Sequence, residues 1–387
     1  MRNRLSHAAL LAASLGLFAG VSSAADKDAS LATVDYEIEM QIVASDLRSP
    51  WSIAFLPDGS WLLAEQEGSL LHFGNDGVPH SVAGVPQSWH HGQGGLMEIA
   101  LHPDFADNRW LYIAYTHAVG EGDDLRYMTK LDRGKFEEGR LRELETLFQA
   151  PEEQYRSATQ HFGCRIAFDE KNRLYFSIGD RGARHDAQDL GRANGKIYRL
   201  QDDGDIPEGN PFADRPGAIP GIHTYGHRNP QGLAFHPETG DLWAAEHGPR
   251  GGDELNLIEK GENYGWPIVT YGTEYSREVI TFERDREGLV HPVWHWTPSI
   301  APCGIAFYQG DEFPLWNGNL LVTSLKFQQL QRVQIHDRRV VNIETILEGE
   351  GRVRDVASAP DGSIYVLLNA PGRVVRLVRT GTVFTED

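Results

Sequence analysis

Short apolar runs, each about one strand long, recur along the chain between clusters of turn-forming residues. Six of them begin on a similar dipeptide: Ile53-Ala54, Ile99-Ala100, Ile166-Ala167, Leu233-Ala234, Ile305-Ala306 and Val356-Ala357. A turn and a second strand-like run generally follow. Pro57-Asp58-Gly59 leads into Trp61-Leu62-Leu63-Ala64, and Pro103-Asp104-Phe105 into Trp110-Leu111-Tyr112-Ile113-Ala114. Glu170-Lys171-Asn172 leads into Leu174-Tyr175-Phe176-Ser177-Ile178, and Pro360-Asp361-Gly362 into Ile364-Tyr365-Val366-Leu367-Leu368. The fifth copy is looser, with residues 311–319 ahead of Leu320-Leu321-Val322-Thr323. Helical spacing is scarce; its best stretch, residues 137–147, predicts one short helix. The copies recur at or beyond the about 40–50 residues that a propeller blade needs. The pattern predicts an all-β chain, a six-bladed β-propeller with inserted loops, as a single domain over residues 25–387. A β-sandwich would give no reason for blade-sized repeats.

The densest stretch is 225–266. It predicts a hairpin of strands 231–236 and 241–245, with Arg228 and Asn229 ahead of the first and Glu246, His247, Gly248 and Pro249 behind the second. In an antiparallel pair those two ends lie together. Applied to the other repeats, the same rule sets Gln93, His161, Arg352 and Arg354 ahead of inner strands, and Asp180, Arg181 and Lys326 behind second strands. One cation-rich mouth should assemble at one end of the channel. Each arginine alone could pair with a local acid such as Asp355 or Asp180; all of them together point to an anionic ligand carrying carboxylate or phosphate. His161 at that level could accept a proton from a substrate hydroxyl.

Gly248-Pro249 followed by Gly251-Gly252-Asp253-Glu254 offers carbonyls and carboxylates of the kind calcium takes, though a solvated acidic turn would read the same way. His223 and His227 have i, i+4 spacing without the HExxH helix of zinc enzymes, and His90-His91 read as loop residues.

The formal net charge is -19, which disfavours nucleic acid and anionic lipid as partners. Residues 1–24 read as a signal peptide: Arg2 and Arg4, an apolar run over 8–21, then Ser22-Ser23-Ala24. That run is too short for a membrane span and no later one qualifies, so a periplasmic or secreted protein is expected. Two cysteines, Cys164 and Cys303, are compatible with one disulfide and too few for a zinc cluster.

An ordered series of motifs then resembles the soluble pyrroloquinoline-quinone (PQQ)-dependent aldose sugar dehydrogenases, relatives of soluble quinoprotein glucose dehydrogenase. The series is HGQGGL (91–96), HFGCR (161–165), GHRNPQGLAF (226–235), EHGPRGGDE (246–254), NYGWP (263–267), SLK (324–326) and RVRD (352–355). The resemblance spans about residues 47–377 and implies a six-bladed propeller. It implies His161 as the general base that takes the anomeric hydroxyl proton while hydride passes to PQQ. Arg228 would stabilise charge on the quinone oxygens, and Gln93, Asn229, Tyr275, Lys326, Arg352 and Arg354 would contact the cofactor. The carbonyls of Gly248 and Pro249 would hold a Ca2+ that polarises the quinone, with Glu254 and Tyr264 at a further calcium. The substrate would be an aldose oxidised at C1 to a lactone, and the electron acceptor a quinone, cytochrome or dye. Monomer and homodimer are both open. The chain departs from the family at Cys164, where many relatives carry glycine, and at Arg181, where the glucose dehydrogenases carry glutamine. A calcium-dependent propeller lactonase and a non-catalytic sugar- or protein-binding propeller are the rival readings.

Overall fold

Strand reversal in this chain is built on a repeated local device. In the first repeat Asp58 Oδ1 accepts the backbone N–H of Ser60 at 3.0 Å and its hydroxyl at 2.5 Å, while Gly59 takes φ 86°. In the last repeat Asp361 holds Ser363 at the same 3.0 and 2.5 Å, with Gly362 at φ 84°. The Asp side chain mimics a backbone turn and glycine supplies the left-handed step at no steric cost. The runs flanking these turns therefore pair as antiparallel strands.

The computed structural model describes residues 29–74 and 76–383. The expected signal peptide, residues 1–24, lies outside the described residues. Five four-stranded sheets and one five-stranded sheet form six blades. Their inner strands are Pro50–Phe55, Leu96–Leu101, Ile166–Phe168, Pro230–Phe235, Pro302–Phe307 and Val353–Ser358, numbered here as blades 1 to 6. Each inner strand packs on the next and the sixth on the first, closing the ring. All six dipeptides lie in these inner strands, as the repeat predicted. The second strands of blades 1, 3, 4 and 5 are buried along their whole length, which is why they read as continuous apolar runs.

Blade 6 takes its two outer strands, Ala29–Ala32 and Tyr36–Ala44, from one end of the described chain and its inner three from the other. Arg332 of blade 5 fixes that junction, pairing with Asp35 and, at 2.7 Å, with Glu344.

The helix expected over residues 137–147 is not formed. Arg126–Glu137 and Arg140–Phe148 are instead the outer hairpin of blade 2, turning through Glu138 and Gly139 at φ 49° and 72°. Bulges between Arg142 and Glu145 and between Thr146 and Phe148 break the alternation of faces. A broken period of two imitates helical spacing. Among the described residues no helix is long and apolar enough to cross a membrane.

Five of the six inner strands carry a register shift near their start, at Pro50/Ser52, Leu96/Glu98, Pro230/Gly232, Pro302/Ile305 and Val353/Asp355. Such bulges re-aim side chains. Here they accompany a polar knot on the axis. Arg165 of blade 3 binds Glu98 of blade 2 at 2.6 Å, Asp355 of blade 6 at 3.0 Å and the Gln231 carbonyl of blade 4 at 2.8 Å. Its guanidinium lies 4.4 Å from the Trp51 ring of blade 1. Burial, with Asp355 adding, drives the Glu98 carboxyl up to about 8 against the pull of Arg165. One arginine thus ties five blades beneath the mouth.

Candidate active site

The hairpin of blade 4 brings its two polar ends together, as its pairing requires. Arg228 N–H donates to Glu246 Oε2 at 2.8 Å, and its Nη1 donates to the carbonyls of His247 and Gly248 at 2.9 and 2.6 Å. Around this hairpin a cavity of about 350 Å³ opens, lined by Gln93 and His161, by Arg228 and Pro249, and by Tyr275. Five expected site residues from four separate segments therefore share one cavity. Tyr275 stands open to solvent there, at 75% exposure.

His161 is set by its surroundings. Its backbone holds φ 57°, and its N–H donates to Gln93 Oε1 at 2.9 Å. Its Nδ1 lies 2.7 Å from Asp180 Oδ1. Burial pushes the Asp180 carboxyl up, but hydrogen bonding from His161, the His161 and Arg228 charges and the Gly182 N–H outweigh it, and the net shift is downward. Asp180 is therefore an ionised acceptor, so Nδ1 of His161 carries the proton and Nε2 keeps a free lone pair. Burial, seconded by Arg228 and Arg181, lowers the imidazole below its ordinary 6.5 against the pull of Asp180. A neutral base with its tautomer fixed is the result.

The cations of the mouth are unpaired in a telling way. Asp180 is committed to His161 and Asp355 to Arg165, so neither acid serves the arginines it was expected to neutralise. Arg228 donates to carbonyls, and Arg354 to Gln231 Oε1 at 2.9 Å and Cys303 Sγ at 3.4 Å. Among the described residues Arg228, Lys326, Arg352 and Arg354 have no carboxylate within ion-pair distance. Arg354 is buried beneath the mouth, and burial, with Arg165 and Arg352 adding, lowers its pKa. Lys326 and Arg352 are exposed at the same end of the propeller, outside the cavity wall. Asn229 lies under His161, with Oδ1 accepting the Gly163 N–H at 3.1 Å and a buried Nδ2 that has no partner.

Arg181 does not join this mouth. It is fully buried, donating to the Gln160 and Ala158 carbonyls, with its guanidinium 3.4 Å from the Phe162 ring. Those contacts hold the side chain under the wall of the site, and it does not line the cavity. Both cysteines are free and buried: Cys164 lies 3.9 Å from Met97 Sδ and Cys303 3.1 Å from Gln231 Oε1.

Gly248, Glu254 and Tyr264 line a small adjoining cavity together with Glu246. Glu246 and Glu254 are direct cross-strand neighbours, and one Asn256 amide nitrogen serves them at 2.9 and 3.2 Å. Burial and the Glu246 charge hold the Glu254 carboxyl well above its usual range. Facing carboxylates suit a cation between them. The Tyr264 hydroxyl is consumed by the Leu257 carbonyl at 2.5 Å and the Glu259 N–H at 2.8 Å, which leaves only its backbone carbonyl to a metal. Gly248 O and Pro249 O each accept one bond, from Arg228 and from Ser299 at 3.0 Å, and each retains a lone pair. No group of three His, Cys, Asp or Glu side chains among the described residues is placed to hold a metal, so a cation here would need backbone oxygens in its shell.

Sequence reasoning placed Asp180 at the mouth without giving it the histidine, and missed Trp266, Arg184 and Glu274 as lining residues. A signal existed for the first. In blade 4, His227 ahead of the inner strand binds Glu246 at the end of the second, at 3.0 Å. His161 and Asp180 repeat that pairing in blade 3, with the histidine opened to the cavity.

A family model described as Glucose / Sorbosone dehydrogenase matches residues 47–376. The aldose sugar dehydrogenase YliI of Escherichia coli K12 is 39% identical over 338 residues, covering 85% of this chain and 90% of its own. The crystal structure of the soluble aldose sugar dehydrogenase from Escherichia coli, in the apo form, superposes with a TM-score of 0.83 at 35% identity, over 88% of this chain and 99% of its own. The PQQ-bound aldose sugar dehydrogenase from Streptomyces coelicolor does so with a TM-score of 0.73 at 29% identity, over 88% and 98%.

Proposed function

The chain belongs to the glucose / sorbosone dehydrogenase family and is a sugar oxidoreductase, and on that premise we propose that it is an exported enzyme that oxidises aldoses at C1 with PQQ and calcium. The observation that carries this reading is the neutral, Asp180-bound His161 in a cavity beside Arg228, at a mouth whose four cations lack carboxylates. Several carboxylates on one flat ligand would satisfy those cations together, and a relative of known structure binds PQQ. No glycine fingerprint on a strand-to-helix turn offers a dinucleotide an alternative place.

His161 Nε2 is the atom that takes the proton of the anomeric hydroxyl, and Asp180 stabilises the imidazolium that forms. Arg228 holds the side of the cavity where negative charge develops, with its guanidinium 5.4 Å from the Trp266 ring. Arg354, Arg352 and Lys326 would bind and orient the cofactor's acid groups from beside the cavity, and Gln93 holds the His161 backbone. Gly248 O and Pro249 O would supply hard oxygens to a calcium there, and Glu254 with Glu246 would supply them to another. When bound, PQQ would supply the hydride acceptor and calcium Lewis acidity beside it.

Protein made without PQQ should be folded and inactive. PQQ with calcium should restore aldose-dependent dye reduction, and NAD or FAD should not. Folded apoprotein that neither binds PQQ nor gains activity from it would return the assignment to the lactonase or the binding module.

A further inference from the structure

Beside the catalytic cavity lies a second basin of about 500 Å³, lined by Arg156, Gly182, Ala183, Arg184, His185 and Asp186. Gly182 and Arg184 line both cavities, so the two are neighbours across one sill. That sill is low because residue 182 is glycine. A Cβ there would meet Gln160 Nε2 at 2.7 Å, and φ 74° disfavours any side chain. The first cavity, about 350 Å³, is near the lower end of the ~300–1,000 Å³ that ligand sites span. A pyranose ring that reacts at His161 leaves little room in it for further sugar units.

The chemistry of the basin is polar and balanced. Arg156 pairs with Asp186, and Arg184 pairs with Glu274 at 2.6 Å, joining the blade 3 loop to the long blade 4 excursion across the mouth. Arg156 Nε is buried without a partner. Each cation is offset by an acid, so the basin has no net attraction for an anion. Each guanidinium and carboxylate nevertheless keeps bonding capacity, the first as donor and the second as acceptor. Sugar hydroxyls, which both donate and accept, match that alternation.

We propose that this basin is the subsite for the further units of a neutral oligosaccharide whose reducing-end aldose reacts at His161. The assignment rests on the sugar oxidation proposed above and adds where a longer substrate lies.

The test uses protein loaded with PQQ and calcium, with glucose, maltotriose and glucose 6-phosphate as substrates. Arg156→Gln removes a donor fork from the basin, and Ala183→Phe fills it; neither residue lines the catalytic cavity. Each variant should keep kcat/KM for glucose within about twofold and lose roughly tenfold for maltotriose, the worth of a hydrogen bond to a charged group. Equal changes for both sugars, or no change for either, in both variants would overturn the subsite. A wild-type preference for glucose 6-phosphate over maltotriose that Arg156→Gln abolishes would overturn it in favour of an anion site. No glucose turnover by the loaded wild type would instead be a failure of the oxidoreductase reading.

Discussion

Trp266 donates its indole N–H to Asp180 Oδ2 at 2.8 Å, on the carboxylate whose other oxygen holds His161 at 2.7 Å. Trp266 is itself fixed, its carbonyl accepting from Gln188 at 2.8 Å. The indole therefore tempers the pull that Asp180 exerts on the imidazole.

Trp266→Phe keeps the ring and removes that N–H. Asp180 becomes a stronger acceptor and stabilises the imidazolium, so the His161 pKa rises. A general base works unprotonated, so the acid limb of the kcat/KM profile should move to higher pH, by roughly half a unit to one unit. A loss of rate with the limb unmoved would make Trp266 a packing residue only.

His161→Ala should cost about 10²–10⁴-fold in turnover and leave PQQ binding close to wild type. Because burial lowers the imidazole below 6.5, wild-type activity should persist at a pH where a free imidazole is already mostly charged. Steady-state rates across pH, with cofactor content measured by absorbance, check both statements.

Lys326→Ala and Arg352→Ala remove exposed cations that pair with no acid among the described residues. Each should raise the PQQ concentration for half-reconstitution by roughly tenfold or more, with a weaker salt dependence than wild type. Thermal unfolding of the apoprotein should be unchanged. A drop in Tm without a change in reconstitution would remove them from the cofactor site.

Glu254 faces Glu246 across neighbouring strands. Burial, with the Glu246 charge adding, makes its carboxylate costly in the metal-free fold, so Glu254→Gln should raise the Tm of the chelated protein at neutral pH. The same change should abolish the stabilisation by calcium, which in wild type reaches about 2.7 kcal/mol at a hundred times Kd. Calorimetry with and without chelator reads both signs, and an equal calcium effect in wild type and variant would place the ion elsewhere.

The blades were legible because the second strands of four of them are buried along their whole length and the inner strands of five over most of theirs, and burial leaves a plain apolar imprint. The position of Arg228, Pro249 and His161 was legible because antiparallel pairing forces their segments to one edge. Arg181 misled because its repeat position is right while its guanidinium is taken up by the Gln160 and Ala158 carbonyls and the Phe162 ring. Residues 137–147 misled because two bulges on an edge strand break its alternation. Trp266 and Glu274 could not be placed from any repeat. They lie on the excursion between the third and fourth strands of blade 4, whose path depends on tertiary contacts such as the Arg184 ion pair.

The mixed parentage of blade 6 makes assembly a matter of timing. Tyr36–Ala44 is synthesised early and pairs along its length with Arg373–Thr382, which is synthesised late. Until that late strand exists the blades form an open arc, and every contact across the join, including Arg332 with Asp35, must wait. Non-local closure of this kind folds slowly. The knot at Arg165, which needs blade 6 to deliver Asp355, likewise tightens only once the two ends of the ring have met.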